Sequence, residues 1–462
     1  MTARSRMIAS VVAVVLIAGA AAAFAIAWRP VIAAIDPPAP ASFDPALVKH
    51  GRELAALGNC NDCHTVRGGA SFGGGLPVPT PFGIIYSSNI TPDPETGIGR
   101  WPETAFRRAM RSGVNRDGQH LYPTFPYDHF TNVSDEDDAA LYAFLMTRPA
   151  VHAPARENQL PFPLDQRVTI AGWKLLFLRR GSYQPDGTRS AEWNRGAYLV
   201  EGLAHCGACH TPRNGLGAER SNAAFAGGDV DNWQAYAINT QSRAPIPWTA
   251  DALFSYLRQG WQADHGTARG PMAEVVSNLS SVNESDVRAI ATYMAGVFGA
   301  PSPDRIQRGE AALAQAKSPT LEAPAVVAAN ATGAAIYAAT CATCHETGRA
   351  LPYGGVHLGL STALSSPDAR NAANIVLSGV RAVAGERSPI MPGFADSMND
   401  GQVTALLQFL RARFSNQPPW TGVENSVAEA RHTQTVFLQT SPGPHNAPAD
   451  ATQRDKPLKA LP

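Results

Sequence analysis

The chain has 462 residues, 44% of them hydrophobic, and its 38 Lys and Arg balance its 38 Asp and Glu. That neutrality gives none of the basic field that nucleic-acid binding requires, so nucleic acid is not expected as a partner. No carboxylate pair, nucleophile triad or nucleotide-binding glycine fingerprint points to substrate chemistry, and the acidic run Asp135-Glu-Asp-Asp138 reads as a helix start.

Residues Ile8 to Trp28 carry no charge and are almost entirely Ala, Val, Ile, Leu and Phe, with Arg4 and Arg6 before them. About twenty apolar residues are enough to cross a bilayer as a helix. The preceding arginines favour an N-terminus left in the cytoplasm. The alternative for residues 1–30 is a signal segment cut near Ala25-Ile26-Ala27 or Ala33-Ala34. Both readings export the chain beyond residue 30, so the expected location is the bacterial inner membrane, with the folded part on its periplasmic side. A Pro/Ala-rich tether, Pro30 to Phe43, leads to a first domain over 44–149. Residues 150–190, with Pro161-Phe-Pro163 and Trp173-Lys-Leu-Leu-Phe-Leu178, read as a linker packed against the domains, because its aromatic and leucine side chains are costly to leave wet. A second domain covers 191–299, an Ala/Pro/Ser-rich linker 300–328, and a third domain 329–415. The polar tail 416–462 is expected to be irregular, with Trp420 and Val423 clinging to a neighbouring surface.

Each domain holds one Cys-x-x-Cys-His motif: Cys60, Cys63 and His64, then Cys206, Cys209 and His210, then Cys341, Cys344 and His345. No cysteine is left over. The spacing marks covalent c-type haem attachment: two thiols reach the two vinyl groups of one porphyrin, and the histidine places Nε2 on the iron. A thiol redox pair or half a zinc site uses the same spacing. A redox pair, however, belongs once on a βαβ background, and zinc needs four convergent ligands borrowed across whole domains. Three haems c are therefore predicted. Each motif follows a short helical pattern, starting at Gly51, Arg195 and Gly333. Each domain ends on a helix with an apolar stripe, Asp137 to Met146, Glu284 to Met294 and Asp400 to Phe409, carrying Tyr142, Tyr293 and Phe409. The recurring plan predicts an all-α fold of three tandem domains. Ser134 is expected to cap its helix, and the glycine runs Gly68 to Gly75 and Gly227-Gly228 to form loops.

On the iron's other face a thioether raises the potential relative to a second nitrogen. Met272, in Gly270-Pro-Met, follows the helix ending at Gly260, and Met391, before Pro392, follows Gly379 at the same offset. A methionine at a matched position in two repeats is a ligand candidate, whereas an isolated one is more often core filler. The first domain has Phe125 at that offset from Gly113, and phenylalanine cannot ligate iron. Met110, His120, His129 or an open iron are the alternatives there.

The three motifs, together with Trp193-Asn-Arg-Gly-Ala-Tyr-Leu-Val-Glu-Gly202, His210-Thr-Pro-Arg-Asn214, Gly270-Pro-Met272 and Met391-Pro-Gly-Phe394, resemble the three-haem cytochrome c subunits of membrane-bound bacterial dehydrogenases over roughly residues 44–425. The resemblance implies class I cytochrome c domains. It also implies electrons taken from a catalytic dehydrogenase subunit and passed to ubiquinone, a downstream cytochrome or a terminal oxidase. Phe125-Pro-Tyr-Asp-His-Phe130, with Met110 upstream, is closest to members paired with molybdenum hydroxylases, whose catalytic parts carry molybdenum cofactor and [2Fe-2S] clusters. Quinoprotein alcohol dehydrogenases and flavoprotein sugar or gluconate dehydrogenases are the other partner types. The reading of another class is a haem peroxidase or oxidase subunit working through an open first iron.

Overall fold

The computed structural model describes residues 27–317, 324–346, 357–380 and 389–440, and before them residues 5, 7, 10–12, 14, 19 and 24. A first unit contains α1 (Pro45–Leu57), α2 (Glu103–Ser112) and α3 (Asp135–Met146), and α4 (Thr169–Phe177) lies in the connection to the second. The second unit contains α5 (Ala191–Tyr198), α6 (Ala250–Gln259), α7 (Pro271–Ser281) and α8 (Glu284–Phe298), followed by α9 (Pro303–Lys317). The third contains α10 (Ala331–Thr340), α11 (Arg370–Ser378), α12 (Asp400–Phe414) and α13 (Val423–Thr440). Capping residues fix the starts: Asp44 accepts from Ala46 N–H with Pro45 behind it, and Ser134 accepts from Asp137 N–H as its position suggests.

One helix crossing is built three times. An ideal Cβ on Gly51 of α1 would lie 1.9 Å from the Ala140 carbonyl oxygen of α3 and 2.8 Å from Phe144 Cβ. On Gly196 of α5 the distances are 2.0 Å to Ala289 O and 2.7 Å to Tyr293 Cβ of α8, and on Gly333 of α10 they are 2.1 Å to Ala405 O and 2.7 Å to Phe409 Cβ of α12. Each first helix thus touches the backbone of its last helix where only glycine fits. The aromatic at the crossing in the first unit is Phe144; Tyr142, its expected counterpart, instead donates its hydroxyl to Trp101 O at 2.8 Å. The middle helix of each unit ends on a glycine of positive φ, Gly113 (58°), Gly260 (79°) and Gly379 (71°).

Burial follows the same plan. One apolar core runs unbroken through the first two units, from Leu54 and Leu141 to Val287 and Phe298. A separate core in the third unit includes Tyr337, Leu406, Phe409 and the α13 residues Val423 and Val427.

The fold is mainly helical, but three short antiparallel ladders qualify the all-α expectation: β1 (Pro77–Thr80) with β2 (Gly83–Tyr86), β3 (Gly228–Val230) with β4 (Trp233–Ala235), and β5 (Trp261–Gln262) with β6 (Gly266–Thr267). The tail is not irregular over its described part. Trp420 is buried, its indole N–H donating to Ser366 O at 2.8 Å, and α13 then packs on α11 and α12. The expected linker 300–328 contains α9. Among the described residues no helix is long and apolar enough to cross a membrane. The spanning helix expected over 8–28 lies for the most part outside the described residues, as do positions 441–462 of the tail.

Candidate functional site

In the first two units the hairpins aim the motif histidines. The β1–β2 ribbon delivers Ser88, whose carbonyl accepts from His64 Nδ1 at 2.7 Å. The β3–β4 ribbon delivers Tyr236, whose carbonyl accepts from His210 Nδ1, also at 2.7 Å. Asp231 and Asn232, with φ of 47° and 63°, make the tight loop of the second ribbon. A proton held on Nδ1 leaves the Nε2 lone pair free, which is how a metal-binding imidazole is fixed in tautomer and orientation. Burial also holds His64, His210 and His345 below the ordinary histidine range, so all three are neutral at neutral pH.

None of the six cysteines is joined to another in a disulfide. Burial raises Cys60 and Cys206 to about 12 and Cys63 to about 11, and it also raises Cys209 and Cys341. A redox-active pair needs a depressed thiol, and these are protonated. Among the described residues only Asp128, His129 and Glu219 gather within metal-binding reach, and no cysteine belongs to that group. Paired thiols beside a histidine whose Nδ1 is tethered to a backbone carbonyl, as at His64 and His210, suit thioether attachment of a haem.

A cavity of about 460 Å³ is lined by Cys206, Cys209, His210 and Met272 from the second unit and by Cys341, Cys344, His345 and Met391 from the third. Both expected histidine–methionine pairs therefore face one continuous apolar space. Met272 enters from the first turn of α7, just after Gly270, whose φ of 56° and approach to the Trp233 ring (2.6 Å from an ideal Cβ) exclude other residues. Met391 is pinned by two backbone hydrogen bonds with Val380, each 2.8 Å. The walls join through side-chain amides: Asn371 donates to Gln234 O at 2.8 Å and accepts from Gln234 N–H at 2.9 Å, and Asn374 donates to Asn232 O at 2.9 Å.

The first motif lies against the second unit. Asn278 of α7 donates to Asn59 (2.9 Å) and Asp62 (2.8 Å), and Leu57 and Asn59 line the same cavity as Cys206 and Cys209. Met110 is buried in the shared core, on the helix that packs against α3. It stands three residues before Gly113, as Leu257 does before Gly260 and Val376 before Gly379, and those two line the large cavity. His120 has both ring nitrogens engaged, Nε2 with Ala27 O at 2.8 Å and Nδ1 with Lys174 Nζ at 3.1 Å. His129 is likewise committed, Nδ1 to Glu201 O at 3.0 Å and Nε2 to Glu219 at 2.8 Å.

The His129–Glu219 pair fastens the first unit to the second motif, since a Cβ on Gly207 would come within 3.0 Å of the His129 ring and 3.1 Å of Glu219. Burial, the largest single effect, opposes the charge on His129, but the hydrogen bond and charge of Glu219, the charge of Asp128 and the Glu201 carbonyl together outweigh it and raise His129 to about 9, while Glu219 is lowered. The His129 contribution is fully present below its unfolded value near 6.5 and is lost as pH rises through 9. The Glu219 contribution is present above about 4.5 and lost as pH falls through its depressed value. Asp128, raised by burial, works the other way and favours the acid side. Urea midpoints are expected to fall from about pH 6.5 to about 9.5, and Glu219→Gln to cost about 3 kcal/mol near the lower pH and to flatten that slope.

Residues 328–410 match the family described as cytochrome C oxidase, cbb3-type, subunit III. The chain is 45% identical, over 88% of its length, to a nicotinate dehydrogenase subunit of Pseudomonas putida, and spans about a third (34%) of that protein. It is 36% identical to the gluconate 2-dehydrogenase cytochrome c subunit of Pantoea cypripedii, covering 85% of this chain and 91% of that one. Against the cytochrome c subunit of the quinone-dependent alcohol dehydrogenase of Gluconobacter oxydans identity is 32%, covering 84% and 83%.

Proposed function

This chain belongs to the family of cytochrome c subunits of bacterial dehydrogenases, and on that premise we propose that it carries three covalent haems c and relays electrons from a catalytic dehydrogenase to ubiquinone, a downstream cytochrome or a terminal oxidase. The observation that carries the reading is the cavity in which His210 faces the same space as Met272, and His345 as Met391. Haem iron supplies the one-electron ferrous–ferric couple. Cys60 and Cys63, Cys206 and Cys209, and Cys341 and Cys344 form the thioethers. His64, His210 and His345 would offer Nε2 to the iron, Ser88 and Tyr236 orient the first two of these rings, and Met272 and Met391 would offer sulfur. The apolar walls exclude water and so favour the less charged, reduced state. Contact of the first motif with the second unit, and the space shared by second and third, support a relay in chain order.

The N-terminal apolar run holds the chain to the bacterial inner membrane, with the three units on the periplasmic side. The catalytic partner is a molybdenum hydroxylase containing [2Fe-2S] clusters and acting on an N-heteroaromatic acid. This is supported by Phe125-Pro-Tyr in the first unit and by the identity to the nicotinate dehydrogenase subunit over most of this chain. Purification from native membranes in mild detergent, with metal and cofactor analysis of the proteins that accompany the chain, tests it. Molybdenum with non-haem iron is expected; flavin or a quinone cofactor without molybdenum would return the chain to the sugar or alcohol dehydrogenase groups.

Met110 is the first unit's sulfur ligand, the nitrogens of His120 and His129 being already committed. Met110→Leu is expected to open one iron of three, so that the reduced chain binds about one equivalent of carbon monoxide where the parent binds none. Carbon monoxide binding by the parent itself would show that the first iron is open.

A further inference from the structure

The helix α4 is turned inside out. Its inward face carries Ile170, Ala171 and Lys174, with Leu178 just beyond its end, all buried. Its outward stripe, at helical spacing, is Val168, Gly172, Leu175 and Leu176, and the two leucines are 60% and 61% exposed. Phe162, just before the helix, is 82% exposed. The inversion has a local cause: the Lys174 ammonium donates to the Ser112 and Gly113 carbonyls at the C-terminus of α2, and lies 4.7 Å from the centre of the Tyr127 ring. Satisfying those carbonyls turns the lysine inward and the leucines out. The same exposed face gains Leu216, whose carbonyl accepts from Trp173 Nε1 at 2.9 Å.

The helix is tied to the end of the N-terminal apolar run. One imidazole joins them: His120 Nε2 donates to Ala27 O, while its Nδ1 meets Lys174 of α4. Arg108 donates to Pro30 O at 2.6 Å and Ile32 N–H to Arg116 O at 2.9 Å, fixing the chain where it leaves that run. Val11, Val12, Val14, Phe24 and Trp28 of the run are each more than half exposed. A bilayer covers a segment apolar on every side, and any element tied to the segment's end then lies at the bilayer surface. Arg179 and Arg180, both exposed, follow the patch, which suits anionic headgroups; Asp165 is the one carboxylate between Phe162 and Arg180.

We propose that Phe162, Val168, Leu175, Leu176 and Leu216 form a second membrane contact, seated in the headgroup boundary of an anionic bilayer beside the N-terminal run. The proposal rests on the reading of residues 8–28 as a membrane segment. Its consequence is that the first unit is held flat on the lipid surface and does not swing on the tether 30–43.

The test uses the full-length, haem-loaded chain in vesicles of phosphatidylethanolamine and phosphatidylglycerol doped with a diazirine-bearing phosphatidylcholine. After photolysis, lipid adducts are expected on the peptide containing 162–178 as well as on that containing 8–28. In a Leu175→Glu, Leu176→Glu chain the former are expected to fall about tenfold, with the haem spectrum and the labelling of 8–28 unchanged. Adducts on 8–28 alone would overturn the surface contact and leave the anchor standing; adducts on neither would overturn the anchor itself. Adducts on 162–178 that vanish once the catalytic partner is bound would assign the patch to that protein and overturn the proposal.

Discussion

Met391→His is expected to keep its thioether haem but to lower the potential of that site by on the order of 0.2 V, because a nitrogen ligand favours ferric iron where a thioether favours ferrous. For one electron that displaces the equilibrium by about three orders of magnitude. The loop around Met391 tolerates the exchange in principle, being held by backbone bonds to Val380 that do not involve the side chain. Spectroelectrochemical titration of the three haems reads the result directly. One wave should move down and two should stay. An unmoved third wave would show that Met391 is a wall of the cavity and not a ligand.

The second large effect concerns the repeated helix crossing. Valine at Gly196 or Gly333 would drive side-chain atoms into a carbonyl that already lies about 2 Å from an ideal Cβ. Overpacking of that kind costs about 3 kcal/mol or more. The consequences should differ with place. The third unit has its own core, so Gly333→Val is expected to lose the third haem and leave the others attached. Gly196 stands in the core common to the first two units, so Gly196→Val should unsettle both together. Counting attached haems and mapping protease-sensitive sites in the two variants separates these outcomes. Equal loss from both would mean that the three units fold as one.

Much of this is legible in the residues. The three Cys-x-x-Cys-His motifs point to haem attachment by their spacing, and the glycines at 51, 196 and 333 recur because a close helix crossing leaves no room for a Cβ. Met272 and Met391 stand out through their matched offset, and both face the cavity as that offset suggests. Other features are not readable. The carbonyls of Ser88 and Tyr236 orient the histidines, and a backbone acceptor leaves no mark on residue type; only Asp231-Asn232 between Val230 and Trp233 signals a hairpin there. The apolar character of the α4 leucines suggests an inward face. They point out because the Ser112 and Gly113 carbonyls claim Lys174, a tertiary demand that overrides the helix's own pattern. His120 and His129 are candidates for iron by residue type alone, and only the fold shows their nitrogens bonded elsewhere. The helix after Trp420 is hard to foresee because its apolar face is narrow and its surroundings polar.

The relay stands on the claim that each motif carries one covalent haem. Intact mass measurement of the denatured chain, purified from cells able to attach haem c, tests it most directly. The account predicts a mass three haems above the polypeptide, with no cysteine open to alkylation. A bare polypeptide with alkylatable thiols, or one that releases zinc on unfolding, would contradict it.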